Sequence, residues 1–174
     1  ADFKQRGLPD CDIGIGLNTG PMSVGNMGSD ERFCYTVMGD AVNLGARLEG
    51  LTKEYGVKAL VSEFTVAKFT REHLIRDLDD IRVKGKQEPV KIFQLMRPDL
   101  LPSTSQIQEL AGIFEEGRAF YLKQDWERAI DKFQTCLKLN PDDGPSKVYL
   151  ARIEQYQANP PGDKWDGVFT FTHK

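Results

Sequence analysis

Two side chains four positions apart carry the clearest chemical signal in this sequence. Asn43 and Arg47 lie in the run Met38-Gly39-Asp40-Ala41-Val42-Asn43-Leu44-Gly45-Ala46-Arg47-Leu48-Glu49. Residues at i and i+4 of a helix share one face. An amide beside a guanidinium suits a sugar hydroxyl next to a phosphate, because arginine presents a fixed fork of donors and keeps its charge at any working pH. Taken alone, the pair also fits a polar stripe facing solvent. A second group is Val83-Lys84-Gly85-Lys86-Gln87-Glu88-Pro89. Two lysines about a glycine at a hairpin tip suit a polyphosphate, or simply keep an exposed turn soluble. The third is Gly14-Ile15-Gly16-Leu17-Asn18-Thr19-Gly20, with Gly25 and Gly28 beyond it. It fails as a dinucleotide fingerprint, because Pro21 and another strand follow where a helix should open. Tight turns and close backbone packing account for these glycines as well as phosphate contact does.

The elements that must hold these residues follow from periodicity. Ile13, Ile15 and Leu17 alternate with Asp12, Gly14 and Gly16, which predicts a strand ended by Asn18-Thr19-Gly20-Pro21. Met22–Met27 predicts a second strand and Phe33–Met38, aromatic and β-branched, a third. Asp40 is expected to N-cap a helix striped by Val42, Leu44, Leu48 and Leu51, with Gly56 as its C-cap. Val57–Val61 predicts a short buried strand, and Ser62 a cap for a helix over Glu63–Phe69. Leu78, Ile81 and Val83 run into a hairpin whose return holds Val90, Ile92, Phe93 and Leu95.

Composition narrows the class. The chain has 174 residues, 40% of them hydrophobic and 28% charged, enough to build a core. Its net charge of -3 comes from 23 basic and 26 acidic residues without a basic cluster, so no nucleic-acid partner is expected. No apolar run approaches the roughly eighteen residues of a membrane span, and the opening Ala1–Asp10 is polar rather than a signal sequence. Cys11, Cys34 and Cys136 are an odd number at irregular spacing, which suggests reduced thiols in a cytoplasmic setting. His73 and His173 are the only histidines, and no Cys or His pair stands at zinc-ligand spacing.

Arg97-Pro98-Asp99-Leu100-Leu101-Pro102-Ser103-Thr104-Ser105 marks a boundary, beyond which only helices are expected: Gln106–Lys123, Trp126–Leu139 and Pro145–Gln157. Gly117, Phe120, Ala129, Phe133 and Pro141 resemble the offsets of a ~34-residue tetratricopeptide repeat. That resemblance covers Leu110–Asp143 plus half a second repeat, the alternative being a generic helical hairpin. Gly117 and Ala129 would let two helices cross closely, with Phe120 and Phe133 filling the gap. A lone repeat leaves a face uncovered, so it is expected to pack on the preceding domain or on a protein partner. The domains are thus 1–97, a linker 98–105, a repeat 106–158 and a tail 159–174.

The order Asn-Thr-Gly-Pro, Gly-Asp-Ala-Val-Asn-x-x-x-Arg-Leu-Glu, Val-Lys-Gly-Lys closely resembles class III adenylate and guanylate cyclases, from about Pro9 to Met96. The resemblance implies a partial ferredoxin-like α+β domain followed by the all-α TPR-like hairpin. It implies a homodimer with active sites shared at the interface. The reaction would be attack of the ribose 3′-hydroxyl on the α-phosphorus of ATP, giving cyclic AMP and pyrophosphate. Asn43 would orient the ribose and Arg47 stabilise charge developing on the α-phosphate. Asp40 belongs to the same motif as a substrate-binding position, and Lys84 or Lys86 would contact the β- and γ-phosphates. Thr36, seven residues before Asn43, stands where the family reads the purine, and its hydroxyl favours adenine. Cys34 lies two residues earlier on the same strand face and is expected to pack.

The same resemblance places the two Mg²⁺ (or Mn²⁺) aspartates upstream, so no metal ligand is expected in this chain. The 174 residues are therefore expected to be inactive alone, as part of a signalling lyase. The Trp165-Asp166-Gly167-Val168-Phe169 tail resembles that of bacterial cyclases with a membrane-anchored sensor, which implies a parent protein held in the inner membrane with this part in the cytoplasm. The competing reading is a non-catalytic dimerisation or interaction module.

Overall fold

Alternating isoleucine and glycine make one side of the first strand bulky and the other bare, and the fold is built around that difference. In the computed structural model, residues 6–7, 12–29, 32–82, 88–162 and 165–168 are described. Strand β1 (Ile15–Leu17) pairs in parallel with β4 (Ala59–Ser62), which pairs antiparallel with β6 (Val90–Leu95), and β6 antiparallel with β5 (Ile75–Ile81). The sheet order is β1-β4-β6-β5. Strands β2 (Ser23–Ser29) and β3 (Arg32–Met38) form a separate two-stranded ribbon with Thr36 opposite Gly25.

Helix α1 (Asp40–Tyr55) buries Leu44, Leu48, Thr52 and Tyr55 and lies on β1 and β4. Asp40 is its first residue rather than its cap. Gly39 fills the cap position at φ 148°, a backbone region that disfavours residues with a Cβ. Gly56 closes the helix at φ 62°, as expected. Helix α2 stops at Val66 (Glu63–Val66), shorter than its pattern suggested, with the Ser62 hydroxyl accepting from the Thr65 amide. β5 begins at Ile75, earlier than its hydrophobic pattern indicated.

Helices α3 (Thr104–Tyr121), α4 (Trp126–Leu139) and α5 (Gly144–Ala158) follow, with α3 against β5 and α5 touching α1. Gly117 is buried where α3 meets α4; a Cβ there would stand 3.0 Å from the Phe133 ring. Phe133 and Ala129 are fully buried, whereas Phe120 is half-buried beneath the Arg128 guanidinium. The segment expected to link two units, 98–105, is exposed except at Leu100 and Leu101, which are half-buried. Met96 is buried, Leu100 and Leu101 pack on the core, and Ser103 caps α3. One apolar cluster runs from Leu44 to Ile153 without a break. Three buried arginines hold the helices to β5. Arg76 pairs with Asp143, Arg152 with Asp79, and Arg118 with Asp77 and Asp80. Burying an ion is tolerated only with such pairing and hydrogen bonding.

Candidate functional site

Asn43 and Arg47 each precede a core leucine of α1 by one residue. They therefore project roughly 100° round the helix from the buried stripe, and both are exposed. Helix and sheet approach closely because β1 turns its glycines toward α1. A Cβ on Gly16 would stand 2.2 Å from the Gly45 carbonyl oxygen and one on Gly14 2.1 Å from the Thr52 hydroxyl. Close packing, not phosphate contact, explains these two glycines. At Gly20, a Cβ would meet the Ala41 methyl at 2.8 Å.

Asn18 was not singled out by spacing. Its Nδ2 donates to the Ala41 carbonyl oxygen at 2.8 Å, and its Oδ1 accepts from the Ser62 hydroxyl at 2.5 Å. The hydroxyls of Thr19 and Thr65 lie 2.9 Å apart. The turn after β1 thereby fastens the start of α1 to the start of α2. The only signal in the sequence was an asparagine before a glycine turn, and its partner lies 23 positions on.

Thr36 is half-buried on β3, which leads through Gly39 into α1, and Asp40 lies exposed in the first turn. β3 and α1 touch, so Thr36, Asp40, Asn43 and Arg47 belong to one β-turn-α unit. Cys34 departs from expectation, being exposed on the ribbon rather than packed. The ribbon and β1 also leave apolar side chains uncovered: Ile15 is 47% exposed, Val24 54% and Tyr35 74%. Lys84 and Lys86 lie outside the described residues; Arg82, just before them, pairs with Asp166 at 2.6 Å. Among the described residues no three His, Cys, Asp or Glu side chains gather as a metal site. No described helix is long and apolar enough to cross a membrane.

Residues 2–97 match the family model described as adenylate and guanylate cyclase catalytic domain. Among curated relatives, a terminal-differentiation-specific adenylate cyclase of Dictyostelium discoideum is 33% identical over 147 residues, covering 83% of this chain and 7% of its own length. An alignment that long cannot fit within residues 1–97, so it takes in much of the helical segment. An adenylate cyclase of Anabaena cylindrica is 39% identical over 94 residues (52% of this chain, 19% of that protein). Adenylate cyclase 1 of Rhizobium meliloti (strain 1021) is 38% identical over 93 (53% and 14%). The chain thus spans less than a fifth of each of these relatives. The solved adenylyl cyclase CyaB from P. aeruginosa superposes with a TM-score of 0.47 at 34% identity, over 55% of this chain and 48% of its own.

Proposed function

This chain belongs to the adenylate and guanylate cyclase catalytic domain family, and on that premise we propose that it supplies part of a site converting ATP to 3′,5′-cyclic AMP and pyrophosphate. The observation that carries the reading is the exposure of Asn43 and Arg47, one turn apart, on a helix whose other side is buried against the sheet. In this proposal Asn43 holds the ribose and Arg47 stabilises the charge that grows on the α-phosphate as the 3′-oxygen attacks and pyrophosphate leaves. Thr36 reads the purine edge, and Asp40 lines the same entry. Lys84 or Lys86 takes the terminal phosphates. The naming of relatives as adenylate cyclases supports ATP over GTP.

The uncovered apolar side chains of β1 and the ribbon support assembly with a second copy, so that the site is shared across a homodimer. Magnesium (or manganese) belongs to the proposal with ligands outside these residues, and the 174-residue chain alone is proposed to be inactive. The buried Gly117, Ala129 and Phe133 support reading α3–α4 as a TPR-like hairpin. The setting proposed is cytoplasmic, as the output part of a signalling protein.

Arg47→Ala in the full-length protein tests the assignment. The turnover number should fall by at least ~100-fold, the usual cost of removing a group that stabilises transition-state charge, with little change in KM for ATP. A near wild-type rate would sink the role of Arg47 and favour a non-catalytic dimerisation module.

A further inference from the structure

The three groups Tyr55, Asp79 and Arg152 meet in the core from α1, β5 and α5. The Tyr55 hydroxyl donates to Asp79 Oδ2 and accepts from Arg152 Nη2 at 2.9 Å; Arg152 Nη1 donates to the same Asp79 oxygen at 2.6 Å. All three side chains are at most 3% exposed. The Arg152 guanidinium also lies over the Tyr55 ring, 5.5 Å from its centroid. Burial and then the Asp79 charge push the Tyr55 hydroxyl pKa well above its ordinary value, so it remains a proton donor.

The start of α5 is fixed to β5 and abuts the end of α1 through further contacts. Asp143, its N-cap, accepts two hydrogen bonds from the Arg76 guanidinium at 2.8 and 3.1 Å. A Cβ on Gly144 would stand 2.1 Å from the Tyr55 carbonyl oxygen, so the two helix ends abut. Helix α5 is thus held to β5 at Asp143 and again at Arg152, and between them it seats the last turn of α1.

We infer that Tyr55, Asp79 and Arg152 are positioning residues, through which the C-terminal helices set the rotation and tilt of the helix carrying Asn43 and Arg47. The inference rests on the cyclase reading of that pair. Tyr55 lies eight residues, about 12 Å of helix, from Arg47. The leucine stripe alone gives non-directional contact, which tolerates rotation. A rotation of about 20° would carry a guanidinium ~6 Å from the axis through roughly 2 Å, and misplacement by ~1 Å can cost two orders of magnitude in rate. Hydrogen bonds at the helix end remove that freedom. A buried ionic triad is weak evidence for stability, since apolar replacements often match it, which leaves fixed geometry as what this one provides.

The test uses the full-length protein with three variants: Tyr55→Phe, the paired change Asp79→Asn with Arg152→Met, and Ala129→Gly on α4 as a destabilised control remote from α1. Steady-state cyclic AMP formation and amide hydrogen exchange are measured well below each thermal midpoint. Tyr55→Phe should raise exchange severalfold in residues 40–55 and leave α4 unchanged. Its kcat should fall about tenfold with KM for ATP within about twofold. The paired change should do the same while keeping its midpoint. If Ala129→Gly, at an equal loss of midpoint, lowers kcat as much, the positioning role is overturned. Faster exchange in α1 with unaltered kcat also overturns it. If the wild-type protein forms no cyclic nucleotide, the cyclase reading fails, and exchange still decides whether the triad sets α1: unchanged protection in Tyr55→Phe overturns the inference.

Discussion

The side-chain amide of Asn18 donates to the backbone carbonyl of Ala41 across 2.8 Å, fastening the end of β1 to the first turn of α1. Because Asn43 lies two residues beyond Ala41, this bond locates the N-terminal half of the proposed site as the Tyr55 triad locates the far end of the helix. Replacing Asn18 with leucine removes the donor and also the acceptor of the Ser62 hydroxyl. Leaving buried polar groups unsatisfied costs about 1–3 kcal/mol. Asn18→Leu should therefore lower the urea midpoint without changing the slope of the transition. A midpoint equal to wild type would show that water replaces both bonds at no loss.

The glycines of β1 and β2 should behave oppositely. Gly16 faces the backbone of α1, where a Cβ would stand 2.2 Å from the Gly45 carbonyl oxygen and 2.4 Å from the Glu49 nitrogen. Backbone gives way only if helix and strand separate, so Gly16→Ala should destabilise by at least ~1–3 kcal/mol, the usual cost of overpacking. Gly25 has nothing within 4 Å of an added Cβ. Gly25→Ala should be neutral or slightly stabilising, since a strand glycine loses more freedom on folding than alanine. Thermal denaturation of both variants side by side decides the point.

The contrast between α1 and β5 explains what the sequence disclosed and what it withheld. α1 was legible because Leu44, Leu48 and Leu51 keep a helical spacing, whereas the period two of Ile13, Ile15 and Leu17 placed a strand but not its start, since β1 begins at Ile15, nor its buried face, since all three side chains are exposed. The core small residues Gly117 and Ala129 were legible from their offsets. The first half of β5 was not, because Ile75-Arg76-Asp77-Leu78-Asp79-Asp80-Ile81 looks too polar for a buried strand. Its charges are neutralised by Asp143 and Arg152, 67 and 73 positions away, and no local pattern reports pairing at that distance. For the same reason the two contacts that the linker 98–105 makes with the core could not be read locally. The prolines and serines were visible, but the seating of Leu100 and Leu101 on the core depends on helices that come later. The β2–β3 ribbon had the residues of two strands but no sign that it would stand apart from the main sheet.

Breaking one of those distant pairs should be costly. Arg76 is fully buried, bonds Asp143 through two nitrogens, shares Gln94 Oε1, and lies over the Phe114 ring at 4.4 Å. Arg76→Met would strand the Asp143 carboxylate in the core, which typically costs about 3–5 kcal/mol. Adding Asp143→Asn to Arg76→Met should recover a substantial part of that loss, because the uncompensated charge is gone while the cap of α5 is kept. A double-mutant cycle by chemical denaturation measures the coupling. Additive losses would show that the two groups stabilise the fold independently.

Cysteine reactivity offers a test that needs no substrate. Cys136 is fully buried between α3 and α4, near the Leu110 carbonyl oxygen, whereas Cys34 is exposed on the ribbon. Burial pushes the Cys136 thiol from its ordinary 9.0 up to about 11. The thiolate is the reactive form, so at pH 8 iodoacetamide should modify Cys34 within minutes and leave Cys136 intact, as peptide mass spectrometry would show. The linkage runs in one direction. Below pH 9 the thiol is protonated in both folded and unfolded chains and adds no pH dependence. Between about 9 and 11 the unfolded chain has lost this proton and the folded chain has kept it, so stability falls as pH rises through that window. Cys136→Ala should flatten the fall in urea midpoint over the same window. An equal fall in both proteins would assign it to other groups, and rapid alkylation of Cys136 at pH 8 would mean that α3 and α4 part readily in the native state.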